Sequence, residues 1–287
     1  MERKIAFITG ASRGIGAAAC VALAKAGFDI VATARTIKEG EGRVEQPTTG
    51  SEAGALPVKG SLETTAAAVR ALGREALTLP LDLTDKETLE SAVERTLAEW
   101  GHIDVLLNNG IWSGPGLLDP IQDLSLEVLE KAFLANTFHQ LYLTQLVLPG
   151  MRARQRGVIL NMTSSAGEVD EPPYSLVKMG MLGFAHCATK GAFHRMAPLL
   201  QAEYADDGIL AINVDPGFTW GESMEALGLP QLGAAPPEVS GEAIAWLASD
   251  PAASEWGGRT VHSQRLCADL GRVAGWPPDD PSWERNA

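Results

Sequence analysis

The chain has 287 residues, 45% of them hydrophobic and 21% charged, with 30 Gly, 17 Pro and 3 Cys, which excludes a disordered or collagen-like polymer. Its 23 Lys and Arg against 36 Asp and Glu give a formal charge of −13, and such a surface repels phosphate backbones and anionic lipid, so neither nucleic acid nor a membrane is an expected partner. Cys20, Cys187 and Cys267 show no CxxC or Cys/His ligand spacing. They read as packing residues in a reducing compartment, with neither a disulfide framework nor a metal site expected.

Met1-Glu2-Arg3-Lys4 leads straight into the apolar run Ile5–Ile8 without a signal-type cleavage region, and no apolar run is long enough to span a bilayer. A cytoplasmic protein folded as one domain over residues 1–287 is expected. Lys4–Thr9, Asp29–Ala34, Ala76–Leu81, Val105–Leu107, Val158–Met162, Ile209–Val214 and Thr260–His262 read as strands. Helical patterns fall between them at Gly14–Ala26, Leu62–Leu72, Lys86–Trp100, Leu126–Arg154, Cys187–Tyr204 and Gly241–Ala248, and Thr84-Asp85-Lys86-Glu87 has capping-box spacing. Strands that are apolar throughout, rather than alternating, are covered on both faces. The expected fold is therefore α/β: a doubly wound parallel sheet of about seven strands with helices on both sides.

Two segments break the rhythm. Residues 36–60 carry Gly40, Gly42, Pro47, Gly50, Gly54, Pro57 and Gly60 and are expected to form a long surface loop, either a tolerated insertion or a flap over a ligand. The tail from 272, with Trp276, Pro277, Pro278, Pro281 and Trp283, reads as irregular, frayed or docked through its tryptophans.

The first strand runs into Thr9-Gly10-Ala11-Ser12-Arg13-Gly14-Ile15-Gly16, and a helix follows. Glycines at this junction allow a tight turn and close approach of a pyrophosphate, which the helix N-terminus holds with free N–H groups and its positive dipole end. The end of the second strand is where an NAD-selective site places an acidic residue for the ribose 2′-hydroxyl. Here it reads Thr33-Ala34-Arg35. Arg35 and Arg13 suit a 2′-phosphate instead, so the expected cofactor is NADP(H).

With TGASRGIG at Thr9–Gly16, Leu81-Asp82-Leu83, Asn108-Asn109-Gly110, Asn136, Ser164 and Asp215-Pro216-Gly217 in that order, nearly the whole chain resembles the short-chain dehydrogenase/reductase family. One departure is Asn108-Asn109-Gly110-Ile111 where the family reads Asn-Asn-Ala-Gly. Within the turn at Thr9–Gly16, Gly10, Ser12, Arg13, Gly14, Ile15 and Gly16 are the expected cofactor-binding residues. The resemblance implies that Asp82, beside Leu83, meets the adenine, that Asn108 lines the adenine ribose, and that Pro216 and Gly217 shape the nicotinamide pocket. It implies a homodimer or homotetramer built on the helices at Leu126–Arg154 and Cys187–Tyr204.

Reducing a carbonyl requires a proton donor at its oxygen, and the family uses Tyr-x-x-x-Lys on one helix face together with a serine. Ser164 matches that serine, Asn136 the residue of a water relay behind the lysine. Two segments compete for the pair: Tyr174–Lys178 matches literally, while His186–Lys190 has His in place of Tyr. His186 precedes Pro216 by 30 residues and Tyr174 by 42, and the family spacing is about thirty. Twelve residues of helix would move a side chain about 18 Å and turn it about 120°, and Pro172, Pro173, Gly180 and Gly183 favour a loop at 171–184. This places His186 and Lys190 at the catalytic position, with Tyr174 on the preceding loop still open as proton donor.

The expected activity is NADP(H)-dependent interconversion of a carbonyl and an alcohol. Ile111, Trp112, Pro115, Phe218, Trp220 and Met224 suggest an apolar or aromatic small-molecule substrate. The alternatives are a cofactor-binding protein that has lost hydride transfer and serves as redox sensor or partner subunit, and a histidine-driven lyase or isomerase on the same fold.

Overall fold

Continuous apolar strands need cover on both faces, and the computed structural model, which describes residues 3–49, 54–168, 177–178, 180–231 and 233–279, has that architecture. In chain order the strands are β1 (Ile5–Thr9), β2 (Asp29–Ala34), β3 (Arg43–Val44), β4 (Leu56–Pro57), β5 (Ala76–Pro80), β6 (Val105–Asn108), β7 (Gly157–Met162), β8 (Ile209–Asp215) and β9 (Thr260–His262). Seven form one parallel sheet in the order β5-β2-β1-β6-β7-β8-β9. Its register places Ile8 opposite both Ala32 and Leu107.

Alternate residues of each strand enter different cores. Ile5, Phe7 and Leu106 pack on the side of α3 (Lys86–Trp100) and α5 (His139–Ala153), where Leu89, Leu143 and Met151 cover them. Ala6, Ile8 and Leu107 pack on the side of α1 (Gly14–Lys25) and α9 (Pro237–Ser249), under Leu23, Ile244 and Leu247. Helices α1 and α9 meet closely: a Cβ at Gly241 would lie 2.9 Å from the Ala18 carbonyl carbon. Full burial of a side chain such as Phe7 contributes about 1.5–3 kcal/mol.

Several elements depart from the sequence reading. The helix expected over Leu126–Arg154 is α4 (Leu126–Phe133), a π-helical turn at Leu134–Phe138, then α5. Cys187–Tyr204 is two helices, α6 (Phe184–His194) and α7 (Met196–Tyr204). Helix α2 (Leu62–Ala71) is as expected, and α3 is capped by Asp85, whose carboxylate accepts from Glu87 N–H, while Thr84 turns back to Asp82. Short α8 (Glu222–Ala226) and α10 (Ser263–Leu270), five and eight residues long, are not among the expected helices. Residues 36–60 are more than a loop, because β3 and β4 pair there as an antiparallel ribbon. In the tail, Trp276 is buried and its indole N–H donates to the Gln264 carbonyl at 3.0 Å; Pro281 and Trp283 lie outside the described residues.

The strand order reverses between β1 and β6, so their connections leave on opposite faces and a crevice opens beyond their carboxyl ends. That geometry fixes where a ligand can enter.

Candidate active site

A cleft of about 530 Å³ lies in this crevice, within the usual range for a small-molecule site. Its floor is the turn from β1 to α1. Gly10 and Gly14 have φ of +67° and +55°, a left-handed backbone that favours glycine. A Cβ at Gly10 would sit 2.8 Å from the Gly110 Cα, and one at Gly16 would overlap the Gly10 carbonyl. Thr9 Oγ1 ties the two strand ends together by accepting from Asn109 and Gly110 N–H at 2.9 and 2.8 Å.

The N-terminus of α1 carries no anion from its own helix. Its N-cap residue Arg13 makes no side-chain cap and no acidic residue stands in the first turn. Gly14 N–H instead donates to Glu222 Oε2 at 2.9 Å, so an anionic oxygen already sits where a phosphate oxygen would. The glycine cradle and this charge preference fit the pyrophosphate of a dinucleotide.

Next to β2, Arg35 lines the cleft, exposed, with no hydrogen bond or ion pair among the described residues. Arg13 lines it too, but its guanidinium is a strut: Nε donates to Lys59 O, and Nη2 to Thr36 Oγ1 and Gly60 O, at 3.0 to 3.1 Å. Burial and then neighbouring Arg35 lower its pKa, against the pull of Glu222. Asp82 and Leu83 line the same cleft, with Asp82 Oδ1 taken by Thr84 N–H and Oγ1. Ser12, Ile15, Pro216 and Gly217 complete the expected lining.

Asn108 does not. It is 1% exposed and its amide donates to Thr144 and Asn161, both at 3.0 Å, so it ties β6 to β7 and α5; Asn109 takes the cleft position. The last residue of a strand and the first beyond it point to opposite sides, which the motif alone does not resolve.

At the other end Ser164, His186 and Lys190 line the cleft together. Ser164 Oγ accepts from Ala166 N–H at 3.2 Å, which leaves its own hydrogen to donate. Gly167 and Gly191 allow this turn to lie on α6, since a Cβ at Gly167 would be 2.6 Å from Gly191 N. Lys190 is 7% exposed, and its Nζ donates to the Met162 carbonyl at 2.6 Å. Burial pulls its pKa down to about 8, opposed by the Asp215 carboxylate. His186, in the first turn of α6, is pulled down to about 4, chiefly by burial and then by Lys190.

Asn136 lies behind the cleft wall, in the π-helical turn. Its Oδ1 accepts from Trp112 N–H at 2.7 Å and its Nδ2 donates to Trp112 O at 3.1 Å; the amide is a clamp on the loop after β6, and both its ends are occupied. π-Turns of this kind recur at functional sites because they re-aim a single side chain. Lys178 is exposed and outside the cleft lining. Tyr174 lies outside the described residues.

Of the apolar residues expected at the mouth, Ile111, Trp112, Phe218 and Met224 line the cleft, with Ser113, Thr219 and Ser223 among them; Pro115 and Trp220 do not. Two contributors were missed by sequence reading. Arg43, with Val44 and Glu45, reaches the cleft from the 36–60 segment, and nothing in a glycine-rich stretch signals it. Glu222 reaches the phosphate turn from 208 residues away.

The family model for short chain dehydrogenases matches residues 4–60 and 55–229. The chain is 34% identical over 214 residues to human Dehydrogenase/reductase SDR family member 7, an alignment covering 74% of this chain and 54% of that protein; it spans about half that relative's length. It is 30% identical over 276 residues to the 3-oxoacyl-acyl-carrier-protein reductase FabG of Escherichia coli (strain K12), covering 91% and 96% of the two chains. A crystal structure of a short-chain type dehydrogenase/reductase from Mycobacterium marinum superposes with a TM-score of 0.70 over 91% of this chain and 93% of that one, at 23% identity, a likeness of fold. The chain belongs to the short-chain dehydrogenase family.

Proposed function

We propose that this family member is an NADP(H)-dependent oxidoreductase that interconverts a carbonyl and an alcohol on an apolar or aromatic small molecule. The observation that carries the reading is the convergence of Ser164, His186 and Lys190 at one end of a cleft whose other end is a glycine cradle with an anion-seeking helix N-terminus. Bound NADPH supplies the hydride. Arg35, with Arg43 also on the cleft wall, favours the 2′-phosphate, since the residue directly after β2 is Arg35 and not an acid.

Ser164 donates its free hydrogen to the carbonyl oxygen and orients it. Lys190, charged at pH 7 with a pKa of about 8, holds ribose hydroxyls and adds positive charge where oxygen gains electron density. His186, neutral above pH about 4, donates its imidazole N–H as a hydrogen bond to that oxygen, and the proton that completes the alcohol comes from the Lys190 ammonium, whose pKa of about 8 lets water return it. The apolar wall of Ile111, Trp112, Phe218 and Met224 excludes water and selects an apolar substrate. Exposed Leu126 and Phe138, 71% and 56% accessible on the α4–α5 surface, suit burial between copies of the chain in a homodimer or homotetramer.

A neutral His186 also favours a second reading, in which the protein binds cofactor without transferring hydride, because a group with a pKa of about 4 is a poor proton source at pH 7. The experiment that separates them is NADPH consumption over a panel of aromatic and aliphatic aldehydes and ketones. Turnover supports the oxidoreductase. Tight NADPH binding without turnover of any member supports the second reading.

A further inference from the structure

The hydrogen bond from Gly14 N–H to Glu222 Oε2 at 2.9 Å occupies the donor at the mouth of α1 with a carboxylate that belongs to the chain itself. Helix α1 brings no anion of its own to this end, since its cap residue is Arg13 and its first turn carries no acid. Glu222 opens α8, and the preceding Gly221 lies against the same turn, its absent Cβ 3.7 Å from the Gly14 Cα. The segment carrying Glu222 is hinged at a defined base. Trp220 N–H donates to Ala235 O and Ala235 N–H to Phe218 O, both at 2.9 Å. Buried Gln264 donates to Pro216 O and Phe218 O at 2.8 and 3.0 Å. Helix α8 lies between those two ends and is not part of the seven-stranded sheet.

A carboxylate and a pyrophosphate cannot share one N–H at the end of a helix, because both are anionic and like charges at that distance repel. We propose that Glu222 is a built-in competitor for the cofactor pyrophosphate: in the free protein it holds α8 down on the phosphate turn, and a dinucleotide binds by displacing it and lifting α8. The proposal rests on the cofactor reading above and adds to it the residue that sets cofactor affinity. It couples occupancy of the phosphate turn to the position of the segment that carries Ser223 and Met224 into the cleft. The competition is against the pyrophosphate, so it acts on NADPH and NADH alike.

The test is the dissociation constant of each dinucleotide, by quenching of protein fluorescence, for the unmodified chain, Glu222→Ala and Glu222→Gln. Removing the competitor is expected to tighten both NADPH and NADH at least tenfold in Glu222→Ala, by the same factor. Glu222→Gln, which keeps the shape of the side chain and loses its charge, is expected to fall between. Unchanged or weaker binding in both variants overturns the proposal while leaving the cofactor reading intact, and so does tightening confined to NADPH, which would place the effect at the 2′-phosphate. Failure of all three proteins to bind either dinucleotide overturns the proposal together with the cofactor reading.

Discussion

Lys190 Nζ is anchored on the carbonyl of Met162 at 2.6 Å, so the end of β7 that presents Ser164 also fixes the ammonium group of α6. The bond spans two elements 28 residues apart and makes the lysine part of the cleft wall rather than a mobile surface cation.

Lys190→Ala is therefore expected to weaken NADPH binding at least tenfold, through loss of a buried charge-assisted contact of about 1.5–3 kcal/mol. Lys178→Ala, at an exposed position outside the cleft, is expected to change it less than twofold. Fluorescence titration of both variants checks this, and the reverse pattern would return the site to Tyr174 and Lys178. The same charge sets a pH limit: the folded pKa of about 8 lies below the ordinary 10.5, so binding that needs the ammonium falls as pH rises through about 8.

Cofactor choice is expected to follow the arginines. NADPH should bind more tightly than NADH in the unmodified protein, Arg35→Asp should reverse that order, and Arg43→Ala should weaken NADPH severalfold with little effect on NADH. Equal or stronger binding of NADH by the unmodified chain would refute the assignment.

The role of His186 is expected to show in pH–rate profiles at saturating NADPH. If imidazolium were the proton donor, carbonyl reduction would fall tenfold per unit above pH about 4; a neutral imidazole donor gives a flat profile through the neutral range until Lys190 titrates. His186→Tyr is expected to raise the rate and carry it to higher pH, because a phenol keeps its proton there. Loss of turnover in Tyr174→Phe, with an unchanged profile in His186→Tyr, would move the donor to Tyr174. Stability should respond as well. The folded pKa of His186 lies below its usual 6.5, so the unfolded chain binds the extra proton between pH 6.5 and 4 and the native state loses stability as pH falls through that window. His186→Tyr should lose that component of the melting temperature against pH.

Residues 36–60 are expected to come loose in Asp119→Ala. Asp119, 3% exposed, accepts from Thr49 N–H at 2.9 Å and Thr49 Oγ1 at 2.6 Å, and Leu118 N–H donates to Pro47 O at 2.9 Å. These bonds tie the segment carrying Arg43 to the loop after β6. The variant should be cleaved faster by trypsin within 36–60 and should bind NADPH more weakly; cleavage at the unmodified rate would show that the tie is dispensable.

Strands β1, β6, β7 and β8 were legible because they are largely apolar and have Gly, Asn or Asp at their ends, and the observed strand ends fall within a residue or so of the expected ones. A strand buried on both faces leaves that mark whatever surrounds it. Helix continuity was less legible. The register slip at Leu134–Phe138 adds no glycine or proline to the sequence, and it carries Asn136, whose amide bonds to the backbone of Trp112. Local chemistry misled at Thr84, where Asp85 beside it is the equal or better cap.

The sequence alone determined the sheet, the glycine turn at the head of α1 and the candidates Ser164, His186 and Lys190, because each follows from local pattern or from spacing along one element. Tertiary structure decided what no spacing encodes. It turned Asn108 into the core and Asn109 into the cleft, committed Arg13 to Lys59 and Gly60, brought Arg43 to the cleft wall, and set Glu222 on Gly14. Those contacts join residues far apart in the chain, and they form only when the sheet brings its strand ends to one crevice, where an unsatisfied donor or acceptor takes whichever partner the fold delivers.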